Sequence, residues 1–435
     1  MVFSVTLLAL AAQLAVAHSE TIHGAILFSR HGDRTWKGAP PTKLTTIGQI
    51  EAFNSGTYWR DRYLNSSSPF QISGINAEIW SAAQLTAAAP IDAVLVTTGQ
   101  AFLQGLYPPV QVFDTLANGN SIEAPLSGYQ YAPLTTVTTD SPSTIWLKGD
   151  DQCPVYDDAS AQWNTTDQYK ALEASTKNFY QSFYDKIFAG VMPQSKMSYA
   201  NAYTIFDYIN VGVVHNSTIA DVVTSEQLFQ LRTLANSAEF AKSGYVTSNS
   251  NIRAVSGRTL SGKVLSQLEA IISSKGKQGM FNLNLGSYDT FLSFFGLANL
   301  PSVSVNFTGL PDYASVIVFE LFSDSTDFPA EADLSVRFLF RNGTTQGPAQ
   351  TYPLFGSQTL SWSDFKARME KIAITSVEQW CNFCNSTASF CSEFKSDATA
   401  TSTEGNRHKN EVTPAVAGVI GGMVTLGVFS LAAIV

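Results

Sequence analysis

Apolar runs that read as buried strands alternate along this chain with stretches in which apolar residues return at helical spacing. Strand patterns lie at 24–30, 76–81, 279–286, 314–322 and 334–341. Helical patterns lie at 45–63, 91–105, 163–187, 224–241, 258–274, 289–297 and 361–373. Strands separated by helices imply a sheet covered on both faces, so the expected class is α/β, with three layers and a mostly parallel sheet. The two late strands are expected to form an antiparallel edge. From about 110 to 255 the pattern changes: Tyr, Ser, Thr and helical segments dominate, and strand signals are few. No internal repeat is visible.

Both ends depart from the globular pattern. Residues 1–17 form an apolar run closing in Ala15-Val16-Ala17, a small-x-small cleavage site. A signal peptide is expected there, with the mature chain starting at His18. Residues 412–435 carry no charge, are rich in Gly, Ala and Val, and reach the last residue without a basic stop-transfer segment. That arrangement is expected of a lipid-anchor signal exchanged for a glycolipid; a single transmembrane span is the alternative. Residues 394–411, rich in Ser, Thr and Ala, read as an extended, O-glycosylated linker. Between the ends lie about 390 residues, room for one large domain with an inserted lobe.

Composition narrows the partners. Only 14% of the 435 residues are charged, the formal charge is −9, and no basic block occurs. That balance argues against a nucleic-acid partner. Six sequons, at Asn65, Asn164, Asn216, Asn306, Asn342 and Asn385, fit a glycoprotein of the secretory pathway. Four cysteines in an oxidising compartment imply two disulfides, and the sequence by itself allows three pairings. The signal peptide argues against reading Cys381, Cys384 and Cys391 as metal ligands.

The candidate chemistry sits at the end of the first strand, in Gly24-Ala25-Ile26-Leu27-Phe28-Ser29-Arg30-His31-Gly32-Asp33-Arg34. Gly32 lets the backbone turn sharply after the histidine. An imidazole can attack phosphorus and carry the phosphoryl group covalently. The forks of Arg30 and Arg34 suit phosphate oxygens. Nothing resembles a divalent-metal cluster, and no cofactor is implied.

This segment resembles the opening Arg-His-Gly-x-Arg-x-Pro of the histidine acid phosphatases, a family of the histidine phosphatase superfamily with the phosphoglycerate-mutase-like fold; Trp36 stands where the family has proline. The resemblance runs from about residue 22 to about 391. Leu44-Thr45-Thr46-Ile47-Gly48-Gln49 is similar to the start of the family's first helix, and Gln100 to Pro109 to the end of its second. Tyr313-Ala314-Ser315 with Phe319-Glu320-Leu321, and Val336 to Asn342, are similar to its two late strands. The resemblance implies a discontinuous core at 18–109 and 256–393 and a mainly helical cap at 110–255 that sets substrate choice. It also implies a metal-independent acid phosphatase working through a phosphohistidine at His31, with Arg30 and Arg34 on the phosphoryl oxygens. The general acid falls on Asp289, in Leu285-Gly286-Ser287-Tyr288-Asp289-Thr290. A helix N-cap is the plainer role for that aspartate.

Two positions depart from the family. Tyr288 replaces the histidine before the acid, where it could still offer a neutral hydrogen bond to a phosphoryl oxygen. Val94 stands where a third phosphate-binding arginine is expected, and no Arg or Lys occurs between Arg62 and Lys148. Arg253, Arg258 and Lys263 are candidates to take its place from elsewhere. Cys153-Pro154 resembles a family Cys-Pro bonded to a cysteine near the C-terminus, which implies Cys153 with Cys381 and Cys384 with Cys391. Asp33 reads either as an orienter of an arginine or as a solvated turn residue; His23 reads as structural, and His215 carries no assigned chemistry.

The expected protein is thus a secreted, surface-anchored acid phosphatase of fungal style, acting on a small phosphate monoester. The alternative is a catalytically weakened relative that keeps the fold as a cell-surface or cell-wall binding protein. Mutase or phytase activity is disfavoured, because polyphosphorylated substrates call for a more basic pocket.

Overall fold

Strand β1 (Thr21–Arg30) alternates its side chains between two separate cores, and this alternation builds the layers. The structure, a computed structural model, describes residues 20–246 and 251–394. Ala25 and Leu27 pack with Trp59, Tyr63, Leu95 and Phe102 on one face of the sheet. Ile26 and Phe28 pack with Leu260, Val264, Phe291 and Phe294 on the other. The first face is covered by α1 (Thr46–Tyr63) and α2 (Ala93–Leu106), which bracket β2 (Leu85–Pro90) in sequence. The longer helices that follow β3 (Thr135–Val137) are α3 (Pro154–Ala161), α4 (Asp167–Gln181), α5 (Ala202–His215) and α6 (Ser225–Ser243). Then α7 (Val255–Ser273), β4 (Phe281–Gly286) and α8 (Tyr288–Leu297) return to the sheet. Strands β5 (Val316–Ser323), β6 (Ser335–Arg341), β7 (Gln350–Tyr352) and β8 (Leu360–Ser361) precede α9 (Trp362–Glu370) and α10 (Val377–Cys384).

The strand order is β8-β6-β5-β1-β4-β2-β3, with β7 on the side of β6. β1 runs parallel to β4, with Arg30 opposite Gly286. β2 is parallel to both β4 and β3. β5 and β6 run antiparallel, as expected of the late strands. The carboxyl ends of β1, β4 and β2 therefore meet at one edge, the edge at which open α/β sheets bind ligands. His31, Ser287 and Asp92 follow those ends in the chain.

Three expectations change. Residues 76–81 form no strand: Asn76 Oδ1 accepts from the Glu78 and Ile79 amides and holds a turn. The strand is Leu85–Pro90 instead, an alanine-rich run of weak β propensity that the sheet nevertheless recruits between β4 and β3. Thr135–Val137, inside the helical 110–255 stretch, belongs to the main sheet. The disulfides are Cys153–Cys384 and Cys381–Cys391, not the pairing implied by the family resemblance. The short helix α10 decides this: it brings the Cα of Cys384 to 4.6 Å from that of Cys153, and Cys381 faces Cys391 at 5.5 Å.

The helices of the 154–243 stretch share their core with the sheet domain, since Tyr180, Ile205, Ile209 and Leu231 join the same apolar cluster as Phe28 and Phe291. No helix among the described residues is long and apolar enough to cross a membrane. The expected signal peptide and anchor, and the linker beyond Phe394, lie outside the described residues.

Candidate active site

The loop after β1 is pressed between two helix starts. A Cβ on Gly32 would strike the Gly48 carbonyl, and one on Gly48 would strike that of Asp33, so the backbones of the loop and of α1 touch directly. Gly32 is there for this close approach, with an ordinary negative-φ backbone. Its amide donates to Thr98 Oγ1 on α2 at 3.3 Å. Asp33 is buried and neither orients an arginine nor faces solvent. Its carboxylate accepts from Thr45 Oγ1, the N-cap of α1, at 2.5 Å and meets His215 Nε2 at 2.6 Å. Its amide donates to Glu51. His215 thus ties the end of α5 to the loop, a structural role the sequence did not suggest.

His31 is 7% exposed, and its Nδ1 lies 2.8 Å from the Gly32 carbonyl. A carbonyl can only accept, so Nδ1 carries the hydrogen and Nε2 keeps its lone pair. Burial, and then Arg30 and Arg34, hold the imidazole well below its usual pKa. It therefore stays neutral into acid solution.

The two arginines are more engaged than the motif suggests. Arg34 gives both nitrogens of its fork to Asp207 on α5, each at 3.0 Å, and Nη2 also reaches the Tyr203 hydroxyl at 3.1 Å. Burial works against its charge, but Tyr203 and Asp207 more than offset that and hold its pKa raised. Arg30 lies between the rings of Tyr313 and Tyr288, 4.6 and 5.4 Å from their centroids, and donates through Nη1 to the Pro311 carbonyl. Its Nε is buried with no acceptor.

Across the edge, α8 opens with Ser287 as N-cap, so Asp289 is not the cap but lies in the first turn. Tyr288 donates its one hydroxyl hydrogen to Glu239 on α6 at 2.8 Å, leaving none for a phosphoryl oxygen. Val94 is buried in the first turn of α2. None of the three cations named as candidates for a further phosphate contact comes here. Arg253 donates to the Ala159 and Ala241 carbonyls, Arg258 lies over the Phe383 ring, and Lys263 lines a cavity beside β2 and α7.

Two lysines and two aspartates that sequence reasoning missed are drawn in instead. Lys37 acts on His31 from within the motif loop. Lys148 faces Asp289, Asp150 and Asp92 and pairs with Asp151 at 3.6 Å. Asp150 is buried and accepts from Ser256 Oγ at 2.5 Å, with burial and then the charge of Asp289 pushing its carboxyl upward, and Asp207 holds Arg34. The dense Lys148-Gly149-Asp150-Asp151 run, in a chain with few charges, was the one available signal.

A cavity of about 320 Å³ beside these groups is lined by Trp36, Lys37, Tyr203, Asp207, Glu239 and Tyr288, among others. A larger one, about 1020 Å³, opens elsewhere, between α6 and the 305–312 loop. Of the six sequon asparagines, five are exposed; Asn342 is half-buried and its amide bonds Asp312 and Ser315. His23 is buried against Ser323 and Phe328. No group of three or more His, Cys, Asp or Glu converges as metal ligands would among the described residues.

Comparison with known proteins gives one family. The family model "Histidine phosphatase superfamily (branch 2)" matches residues 31–341. Among solved structures, the phytase of D. castellii superposes with a TM-score of 0.54 at 13% identity, over 90% of this chain and 89% of that one. The phytase of Klebsiella sp ASR1 gives 0.53 at 11% identity, over 82% and 96%. The Hafnia alvei phytase in complex with tartrate gives 0.53 at 13%, over 82% and 98%. At such identities the likeness is one of fold. No curated protein matches the chain.

Proposed function

Because the chain belongs to branch 2 of the histidine phosphatase superfamily, we propose that it hydrolyses phosphate monoesters with His31 as nucleophile. The observation that carries this reading is the Gly32 carbonyl on Nδ1, which leaves Nε2 of a neutral imidazole ready to attack. Nε2 forms a bond to phosphorus as the bond to the leaving oxygen breaks, and Asp289 gives that oxygen its proton. Water then attacks the phosphohistidine, returns a proton to Asp289, and releases phosphate and neutral His31. Arg30 and Arg34 bind the phosphoryl oxygens; the unsatisfied Nε of Arg30 supports this. The depressed pKa of His31 supports work in acid solution.

A second reading, a weakened relative kept for binding, is favoured by one observation: Asp207 already fills the fork of Arg34. With valine at 94 as well, the site lacks charge its relatives use, and each missing donor typically lowers the rate on the order of a hundred- to a thousand-fold. Polyphosphorylated substrates fit poorly, because beside the site Lys242 is paired with Glu239 and Arg34 with Asp207. Apolar ends and sequons support a secreted, glycosylated protein held at the cell surface by its C-terminal tail.

The test is phosphate release from an aryl phosphate at about pH 5, by the secreted protein and by His31→Ala. Release that falls at least about a thousand-fold in the variant supports the enzyme. Equal background release by both proteins leaves the binding reading.

A further inference from the structure

The segment just before β5, residues 311–315, grips Arg30 and His31 through backbone and side chain. The Ser315 carbonyl accepts from the Arg30 amide, and the Ala314 amide donates to the His31 carbonyl, each at 2.9 Å. The Pro311 carbonyl accepts from Arg30 Nη1. The centroid of the Tyr313 ring lies 4.6 Å from Arg30 Cζ and 5.6 Å from that of the His31 ring. Within the segment Ala314 has a φ of 54°, a left-handed form that an L residue other than glycine keeps only where its neighbours enforce it.

Asn342, the residue that follows β6, supplies such contacts. Its Oδ1 accepts from the Asp312 amide at 2.8 Å and from Ser315 Oγ at 3.0 Å, and its Nδ2 donates to Asp312 Oδ2 at 2.9 Å. The next amide, of Gly343, donates to Ser315 Oγ at 2.8 Å. Arg232 on α6 donates to the other carboxylate oxygen of Asp312. Yet Asn342-Gly343-Thr344 is also a sequon. A sugar on Nδ2 would make the side chain a secondary amide, whose favoured trans form puts the substituent on the oxygen's side and the hydrogen on the far side. That side is already filled, because Asp312 contacts Oδ1 and Nδ2 together. The brace and the modification exclude each other.

We propose that Asn342 is a positioning residue for Arg30 and His31, acting through the 311–315 segment, and that its sequon is bare in the folded protein. The effect on turnover rests on the phosphomonoesterase reading; the brace and the bare asparagine do not.

The test uses the full-length secreted protein. A tryptic map of the wild type is expected to give the peptide that begins at Asn342 without a glycan. Orthovanadate affinity is then measured by calorimetry well below the melting transition, where a fold that is merely destabilised is still native. Asn342→Leu, a neutral replacement of similar size, removes the brace and is expected to weaken vanadate binding about tenfold. Asn342→Asp combined with Asp312→Asn reverses donor and acceptor across the same contact at unchanged net charge, and is expected to keep most of the affinity. Thr344→Ala abolishes the sequon, keeps the amide and is expected to leave the affinity unchanged. With an aryl phosphate, kcat/KM is expected to follow the same order. A glycan on Asn342, or a loss in Thr344→Ala as large as in Asn342→Leu, overturns the bare sequon. Affinity unmoved by Asn342→Leu, or lost equally in the reversed pair, overturns the positioning role. The expected affinities in a protein without turnover uphold the brace and count against the phosphatase reading alone.

Discussion

Arg34 and Asp207 stand 173 residues apart in the chain and meet as a buried, bidentate ion pair. The pair makes the site a competition: a carboxylate already presents to the guanidinium the two oxygens that a phosphate would present. Asp207→Asn removes the competitor's charge. It is expected to lower stability by about 3 kcal/mol, because a buried guanidinium loses its partner. It is also expected to enlarge the rise in melting temperature on adding phosphate or vanadate, since a ligand that binds only the native state stabilises it in proportion to its affinity. Melts with and without the anion check both effects; an unchanged or smaller rise would mean that Asp207 does not compete. The Arg30-His31-Gly32-Asp33-Arg34 motif was legible because its five residues are contiguous. Asp150, Asp207 and Lys148 were not, because each acts on a residue that only the fold brings near.

At the level of elements, the site depends on how closely the loop after β1 seats on α1. Glycine was expected at 32 for a turn, and its actual use is shared with Gly48: neither backbone leaves room for a methyl group on the other. Gly48→Ala is expected to cost about 3 kcal/mol, as overpacking against rigid backbone does. It should also displace the loop that carries His31, so activity would fall further than the melting temperature accounts for. Denaturant melts beside kcat at a temperature well below the transition separate the two. Most core elements were readable from period alone, β1, β4, α1 and α2 among them. Strand β2 was not, since Leu85–Pro90 is mostly small residues that become a strand by being paired on both sides. The helix Ala202–His215, which supplies both Asp207 and His215, was likewise hidden in a run of mixed apolar and aromatic residues.

Across the whole molecule, Cys153–Cys384 spans 231 residues and joins the start of the helical stretch to the last helix of the core. It closes a loop long enough that replacing both cysteines by serine is expected to cost about 4 kcal/mol. A non-reducing peptide map should link Cys153 to Cys384 and Cys381 to Cys391; a Cys153–Cys381 link would refute the arrangement of α10. The same bridge lies three residues from Asp150, so its loss is expected to loosen the 147–153 segment as well as the fold.

What the amino-acid order determined by itself was local: a buried strand delivering arginine, histidine and arginine in one turn, and the alternation that makes a layered α/β domain. Those features depend on residues within a few positions of one another, where period and spacing are enough to read them. The tertiary structure alone decided which arginine is occupied, which histidine holds the loop aspartate and which cysteines pair. These depend on distances of a few ångströms between residues far apart in sequence, and electrostatic and covalent interactions are set by such distances.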